Sequence, residues 1–236
     1  MDERDGVIRF RADHRVRALD FEAHVAVARS LLRWRRRLAK VGVVGADPAR
    51  YQGAGFGNLS GRLPPFPGCP GARRFLVTGT QTGGHRSLKL ADLCLVTRCD
   101  AERNRVSSLG LVKPSSESMT HGALYDADPT IRFVFHVHSP LVWERAQELR
   151  LPTTEAAAGY GTPVMCREVR EKLADPQVRE AGILVMGGHR DGLLCFGTTA
   201  DEVGCTVLDL LERARCLGGG GPPHAGRARS SGPRSS

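Results

Sequence analysis

The run from Ile131 to His138 restricts the fold most, because five of its eight residues are apolar and four of these are aromatic or valine. This composition favours a buried strand. A second apolar run, Gly182 to Met186, predicts another buried strand that ends at Gly187-Gly188-His189. Asp191-Gly192 then predicts a turn into a strand from Leu193 to Phe196, so the two runs form a hairpin with His189 near its tip.

A chain of 236 residues can form one α/β domain with a full core, and no linker divides it. We therefore predict one folded domain over residues 1–216. Residues 217–236 contain mainly glycine, proline, serine and arginine, a composition that cannot bury a core and that predicts a disordered basic tail.

Helical periodicity and turn residues predict the remaining elements. The predicted helices are Leu19 to Val41, Ser116 to Ala127, Pro140 to Glu148, Arg167 to Lys172 and Thr198 to Arg215, and the predicted strands are Phe75 to Thr78 and Leu93 to Thr97. The glycine-rich segment from Tyr51 to Gly61 predicts a loop that approaches a ligand closely. The basic run Arg33 to Arg37 is interpreted as the solvated face of the first helix.

The net charge of +9 lies mainly at the two ends of the chain. Residues 1–40 carry a net +5 and residues 217–236 a net +3, which leaves +1 for the middle. A nucleic-acid interface would spread over the folded surface, so nucleic-acid binding is not expected.

Seven cysteines form no CxxC pair, and several lie within apolar runs, which is typical of free thiols in a reducing compartment. No apolar run is long enough to span a membrane. We predict a cytoplasmic protein.

His136 and His138 suggest a metal site. Residues i and i+2 of a strand project to the same face, so the two imidazoles stand side by side. His189, which follows the second strand, offers a third nitrogen. Three histidines with one open position are typical of a catalytic zinc site, although each histidine alone also suits an ordinary strand face or turn.

Glu117 and three polar loops complete the candidate site. Glu117 follows Pro114-Ser115-Ser116 at a helix start, where a carboxylate serves either as a helix cap or as a general acid–base group. The loops contain Gly57-Asn58 with Ser60, Thr78-Gly79-Thr80 and Ser115-Ser116, whose N–H and hydroxyl groups suit a phosphate. The expected substrate is a small phosphorylated or polyhydroxylated molecule.

These residues occur in an order that resembles the class II aldolase/adducin family. The resemblance covers Leu19 to Arg215 and rests on Gly57-Asn58-Leu59-Ser60-Gly61-Arg62, Phe75-Leu76-Val77-Thr78, Pro114-Ser115-Ser116-Glu117 with His121 and Tyr125, His136-Val137-His138 and His189. It implies a three-layer α/β/α sandwich with a central mixed sheet. It also implies a homo-oligomer, usually a tetramer, with active sites near subunit interfaces.

The resemblance implies a zinc-dependent lyase. Zn²⁺, with Mn²⁺ as the alternative, would lie on His136, His138 and His189 and stabilise the enediolate formed when a C–C bond of a hydroxy-carbonyl compound breaks. Glu117 would handle the proton, and Gly57, Asn58, Thr78, Gly79, Ser115 and Ser116 would bind the phosphate.

Two departures leave the reaction open. The loop Gly79 to Gly84 differs from that of the aldolases, and their acid tyrosines have no clear match, with Tyr160 as a substitute. A pentulose-phosphate epimerase, a thiopentulose-phosphate dehydratase and a non-catalytic adducin-like module are the alternatives.

Overall fold

The computed structural model describes residues 10–66 and 68–218. The predicted disordered tail lies almost wholly outside these residues, although the last helix runs through Leu217 to Gly218.

Strands and helices occupy most of the described chain. The strands are β1 (Arg11–Val16), β2 (Gly45–Ala46), β3 (Gly55–Phe56), β4 (Asn58–Arg62), β5 (Phe75–Thr78), β6 (Leu93–Asp100), β7 (Arg105–Gly110), β8 (Phe133–His138), β9 (Ile183–Val185) and β10 (Gly192–Gly197). The helices are α1 (Val25–Lys40), α2 (Ser118–Ala127), α3 (Pro140–Glu144), α4 (Pro163–Lys172), α5 (Pro176–Ala181) and α6 (Ala200–Gly218).

One mixed sheet of eight strands forms the centre of the fold, in the order β1-β7-β6-β5-β4-β8-β10-β9. β1 runs parallel to β7, and every other neighbouring pair in this sheet is antiparallel. β9 and β10 follow each other along the chain and pair antiparallel, so the predicted hairpin is confirmed.

Helices cover both faces of the sheet, which confirms the three-layer α/β/α prediction. α1 and α6 pack on one face with buried Leu31, Trp34 and Val203. α2 and α4 pack on the other with Met119, Tyr125 and Met165. Each face of the sheet therefore has its own apolar core, and both faces of the central strands are removed from water.

Three of the helices begin at a proline that follows a capping side chain. Ser139 precedes α3, Thr162 precedes α4 and Asp175 precedes α5, and each side chain accepts a hydrogen bond from an N–H in the first helical turn. Proline suits this position because its missing N–H would have no partner within the helix. These caps explain why α4 begins at Pro163, four residues before the predicted Arg167.

The basic run on α1 divides between several environments. Arg33 and the Trp34 indole both donate to Asp201 on α6, each at 2.7 Å, and Arg37 lies over the Trp34 ring. Arg35 is only 4% exposed, so the interpretation of the whole run as a solvated face is wrong at this residue. Its side chain donates to the Gly83 carbonyl in the Gly79–Gly84 loop.

Among the described residues, no helix has the length and apolar character needed to cross a membrane. All seven cysteines are free thiols.

Candidate metal and substrate site

β8 presents two histidines on the α2 side of the sheet. Val134 belongs to the core beneath α2, whereas Phe135 and Val137 belong to the core beneath α1. Side chains alternate along a strand, so His136 and His138 emerge on the same side as Val134. In the register of the sheet, His136 lies between Asn58 of β4 and Leu194 of β10.

The turn between β9 and β10 brings His189 to the same place. The His189 N–H donates to the Met186 carbonyl, and the His189 carbonyl accepts from the Gly192 N–H. Asp191 adopts a left-handed backbone with φ of +64°, which closes the turn. Gly192 pairs with His138, and a Cβ built on it would lie 2.7 Å from the His189 ring and 3.2 Å from the His136 ring. Glycine is therefore required for the two imidazoles to fit beside this strand.

The three imidazoles converge, and one nitrogen from each lies within 4.8 Å of the others. The Nε2 atoms of His136 and His138 are 2.9 Å apart. Two nitrogens that bind the same tetrahedral zinc ion lie roughly 3.3 Å apart, so this spacing fits a shared cation with small adjustments. All three side chains are at most 4% exposed.

Burial keeps the strand imidazoles in the neutral form that a metal binds. Desolvation lowers the pKa of His136 to about 4 and lowers the pKa of His138 well below its usual range. The His136 Nδ1 donates to the Leu193 carbonyl at 3.1 Å, which directs the lone pair of Nε2 toward His138. The protonation state and orientation of His136 thus suit a metal ligand.

Two tyrosines flank the histidines. The Tyr160 ring lies 4.5 Å from the His189 ring, and the Tyr51 ring meets the His138 ring edge to face at 5.0 Å. The Tyr51 hydroxyl donates to the Asp191 carboxylate at 2.6 Å and accepts from Arg50 at 2.9 Å. Tyr51 has a positive φ of 49°, so its backbone is held in a conformation that tyrosine rarely adopts.

Glu117 immediately precedes α2, and it is 1% exposed. Its carbonyl accepts from the His121 N–H, and its own N–H donates to the Ser115 hydroxyl at 3.4 Å. Glu117 lines the same cleft as His136. Glu117 and a candidate metal ligand therefore line one space.

Most of the predicted phosphate-binding residues line that cleft. They are joined there by the Gly79–Gly84 loop, and the full lining is Gly55, Gly57, Asn58, Gly79, Thr80, Gln81, Thr82, Gly83, Ser115, Ser116, Glu117 and His136. Backbone hydrogen bonds from the Gly79–Thr80 segment to Asp92 and Lys113 hold two of these loops side by side. Gly57 has a φ of +71°, which favours glycine at this turn.

Thr78 occupies a different position from the other predicted phosphate ligands. It is 2% exposed and does not belong to the cleft lining. Its hydroxyl accepts from the Leu59 N–H at 3.2 Å, across the β4–β5 pair. This side chain therefore joins two strands behind the cleft.

Ser60, His121 and Tyr125 form a buried polar cluster under the site. The Ser60 hydroxyl lies 2.7 Å from the His121 Nδ1 and 2.7 Å from the Tyr125 hydroxyl. Burial and the neighbouring His136 hold the pKa of His121 well below its usual range. The cluster connects β4 to α2, the element that begins beside Glu117.

Sequence reasoning missed Tyr51, Asp191 and Thr82. Tyr51 lies in the segment that the sequence predicts as a glycine-rich loop, and its contact with Asp191 spans 140 residues. Thr82 lines the cleft and donates to the Gly79 carbonyl. The sequence indicates the loop that contains Thr82, but it does not indicate which side chains of that loop face inward.

The fold and the site define a class of protein: an α/β/α sandwich in which two histidines of a central strand and a third from the adjoining hairpin turn meet beside a carboxylate. The family model described as the class II aldolase and adducin N-terminal domain matches residues 46–216. The chain belongs to this family. Comparison with curated proteins gave no match.

Solved structures share the fold at low sequence identity. L-fuculose-1-phosphate aldolase from Thermus thermophilus is 18% identical over 84% of this chain and 99% of its own, with a TM-score of 0.59. YgbL from Escherichia coli, described as an aldolase/epimerase/decarboxylase, is 18% identical over 84% of this chain and 91% of its own, with a TM-score of 0.60. A sugar-phosphate aldolase from Thermotoga maritima is 15% identical over 84% of this chain and 98% of its own, with a TM-score of 0.52.

Proposed function

We propose that the protein is a metal-dependent lyase that cleaves a C–C bond in a small hydroxy-carbonyl compound, such as a sugar phosphate. The observation that carries the proposal is the convergence of three buried imidazole nitrogens within 4.8 Å. Membership in a family that includes aldolases supports the same reaction class.

His136, His138 and His189 would hold the cation, with zinc as the first candidate and Mn²⁺ as the alternative. A divalent cation bound there supplies Lewis acidity that stabilises negative charge on an oxygen of the substrate. The chain supplies the remaining functions: it orients the substrate, excludes water and moves a proton.

Glu117 is the proposed acid–base group, because it lines the same cleft as His136 and is shielded from bulk water. It would carry the proton that is added to or removed from the substrate carbon. Tyr160, packed against His189, is the candidate for a second proton donor, at the oxygen of the leaving aldehyde.

The polar loops would bind the phosphate end of the substrate. Gly57, Asn58, Gly79, Ser115 and Ser116 face the cleft and offer N–H and hydroxyl donors. Thr78 would act indirectly, by fixing β4 to β5. Assembly into a homo-oligomer and a cytoplasmic location stay predictions.

The test compares two sets of variants. His136→Ala and His189→Ala are expected to lose bound metal, whereas His24→Ala, which removes a histidine outside the site, keeps it. Glu117→Gln is expected to keep the metal and to lower kcat by roughly 10²–10⁴-fold, the usual contribution of a general acid–base group. Metal content is measured by elemental analysis of the purified proteins.

The reaction itself is identified by incubating the protein with a panel of sugar phosphates and following aldehyde release, epimer formation and water loss separately. Aldehyde release that depends on Glu117 supports a lyase. Full metal occupancy in both histidine variants, or an unchanged kcat in Glu117→Gln, would contradict the proposal.

A further inference from the structure

A second concave surface adjoins the cleft at the Gly79–Gly84 loop. This basic groove has a volume of about 730 Å³, and the residues of its lining that can carry a charge are Arg35, Arg36, Lys40, Asp47, His85 and Arg86. Sites for small molecules usually measure about 300–1,000 Å³. Gly83 lines both the groove and the cleft, so the loop forms a shared wall.

The charges around the groove are strongly unbalanced. Four cationic side chains and His85 line it, and Asp47 is the one acidic residue among the lining residues. Arg36 and Lys40 stand one helical turn apart on α1, where two like charges repel. No carboxylate of the described chain forms an ion pair with Arg35, Arg36, Lys40 or Arg86.

Arg35 is the most informative of these residues because only 4% of it is exposed. One nitrogen of its guanidinium donates to the Gly83 carbonyl at 3.1 Å. Burial lowers its pKa, but an arginine remains protonated in a protein, so a positive charge persists in the wall of the groove. A buried cation without an anionic partner is costly and favours the binding of an anion.

The basic run of the first helix thus has two uses. Arg33 and Arg37 interact with Asp201 and with the Trp34 ring. Arg35 and Arg36 face the groove together with Lys40 from the next turn. Contacts with Asp201 and Trp34 thus account for Arg33 and Arg37, whereas Arg35 and Arg36 have no anionic partner among the described residues.

We propose that the basic groove binds the phosphate of a small organic phosphate, at a site separate from the cleft beside the histidines. Phosphate is the anion that best suits several arginines, since each planar guanidinium can donate two parallel hydrogen bonds to its oxygens. Apolar Ala39, Val44 and Pro48 line the same groove and suit the carbon skeleton of the ligand.

The ligand is either an independent organic phosphate or the distal phosphate of a substrate that extends past the loop. Both sources share the same phosphate chemistry. Because Arg35 holds the Gly83 carbonyl, a phosphate in the groove also acts on the wall of the cleft.

The direct test titrates the full-length protein with inorganic pyrophosphate by calorimetry, both metal-free and loaded with zinc. The main variant is Arg36→Gln with Arg86→Gln, because both side chains are exposed and their removal leaves the core intact. The matched control is Arg29→Gln with Arg179→Gln, which removes the same charge from exposed positions outside the groove. Thermal melts verify that each variant is folded.

The groove variant is expected to weaken pyrophosphate binding by about tenfold or more, as for the loss of charge-assisted hydrogen bonds. The control variant is expected to bind as the unmodified protein does. Ser115→Ala with Ser116→Ala alters the proposed phosphate ligands of the cleft and is expected to leave the binding that depends on the groove in place. The proposal is overturned if the groove variant binds normally, if the control loses as much affinity, or if only the cleft variant loses it.

Pyrophosphate is expected to bind equally well to the metal-free protein and to His136→Ala. This test therefore does not depend on the proposed reaction. In a turnover assay, competition between pyrophosphate and substrate would show that the groove binds the distal phosphate of the substrate. An unchanged KM while pyrophosphate is bound identifies an independent ligand.

Discussion

Replacing Gly192 by alanine should damage the histidine site without touching any of its nitrogens. The added Cβ would lie 2.7 Å from the His189 Cδ2 and 3.2 Å from the His136 Cε1. Carbon atoms in contact are ordinarily about 3.5–4.0 Å apart, so the His189 ring has to move by about 1 Å. The His189 carbonyl, 3.0 Å from the same Cβ, limits how far the strand can shift instead.

A movement of this size exceeds what a zinc site tolerates, since ligand distances vary by only about 0.2 Å. We expect Gly192→Ala to weaken zinc binding roughly 10–100-fold, the range found when the support of a ligand is altered. Overpacking should also lower the free energy of unfolding by about 1–3 kcal/mol.

Zinc affinity is measured by competition with a chromophoric chelator, and stability by urea unfolding of the metal-free protein. The control is Gly84→Ala, because a Cβ at Gly84 meets nothing within 4 Å. It reproduces the change in unfolded-chain entropy without the clash. Normal zinc affinity and normal stability in Gly192→Ala would refute the convergence of His136 and His189 beside this strand.

Two further predictions concern stability. The metal-free protein should lose stability as the pH falls from about 6.5 toward 4, because His136 is protonated in the unfolded chain but, with its pKa lowered to about 4, stays neutral in the folded state. Urea unfolding at several pH values checks this, and His136→Gln should reduce the dependence of the free energy of unfolding on pH. A urea midpoint that does not change with pH would contradict the prediction. Ser60→Ala should lower the free energy of unfolding more than Tyr125→Phe does, because it removes the hydrogen-bond partner of both His121 and Tyr125. Each buried polar group left unpaired costs about 1–3 kcal/mol. Equal losses of the two variants in urea unfolding would show that Ser60 does not connect the two side chains.

The strands that carry the histidines are predictable because their sequence pattern is local. The apolar run before His136 favours a buried strand, and alternation then places His136 and His138 on one face. Asp191-Gly192 identifies the hairpin turn in the same way, and the turn accounts for the position of His189. Local sequence thus predicts the elements that carry the three histidines, whereas their convergence depends on the long-range pairing of β10 with β8.

The glycine-rich segment is wrongly predicted as a loop throughout, because the strand that it contains, β4, is buried on both faces. The sequence predicts β4 as part of a loop, yet all five of its residues are buried between β5 and β8. Gly61 serves packing here, since a Cβ would lie 2.6 Å from Val27 and 2.8 Å from the Phe133 ring. A short central strand with small residues lacks the alternation that identifies a half-buried strand.

The basic groove and the positions of the tyrosines could not be predicted from the sequence for a different reason: they depend on contacts between segments far apart in sequence. Arg35 looks like one member of a basic run, and the tertiary contact with Gly83, 48 residues away, gives it a separate role. Tyr51 is likewise defined by Asp191 and His138. Arg35 contacts a loop that lines the cleft, and Tyr51 contacts a candidate metal ligand and the hairpin turn beside it, so the surroundings of the histidines depend on tertiary contacts that no local sequence pattern predicts.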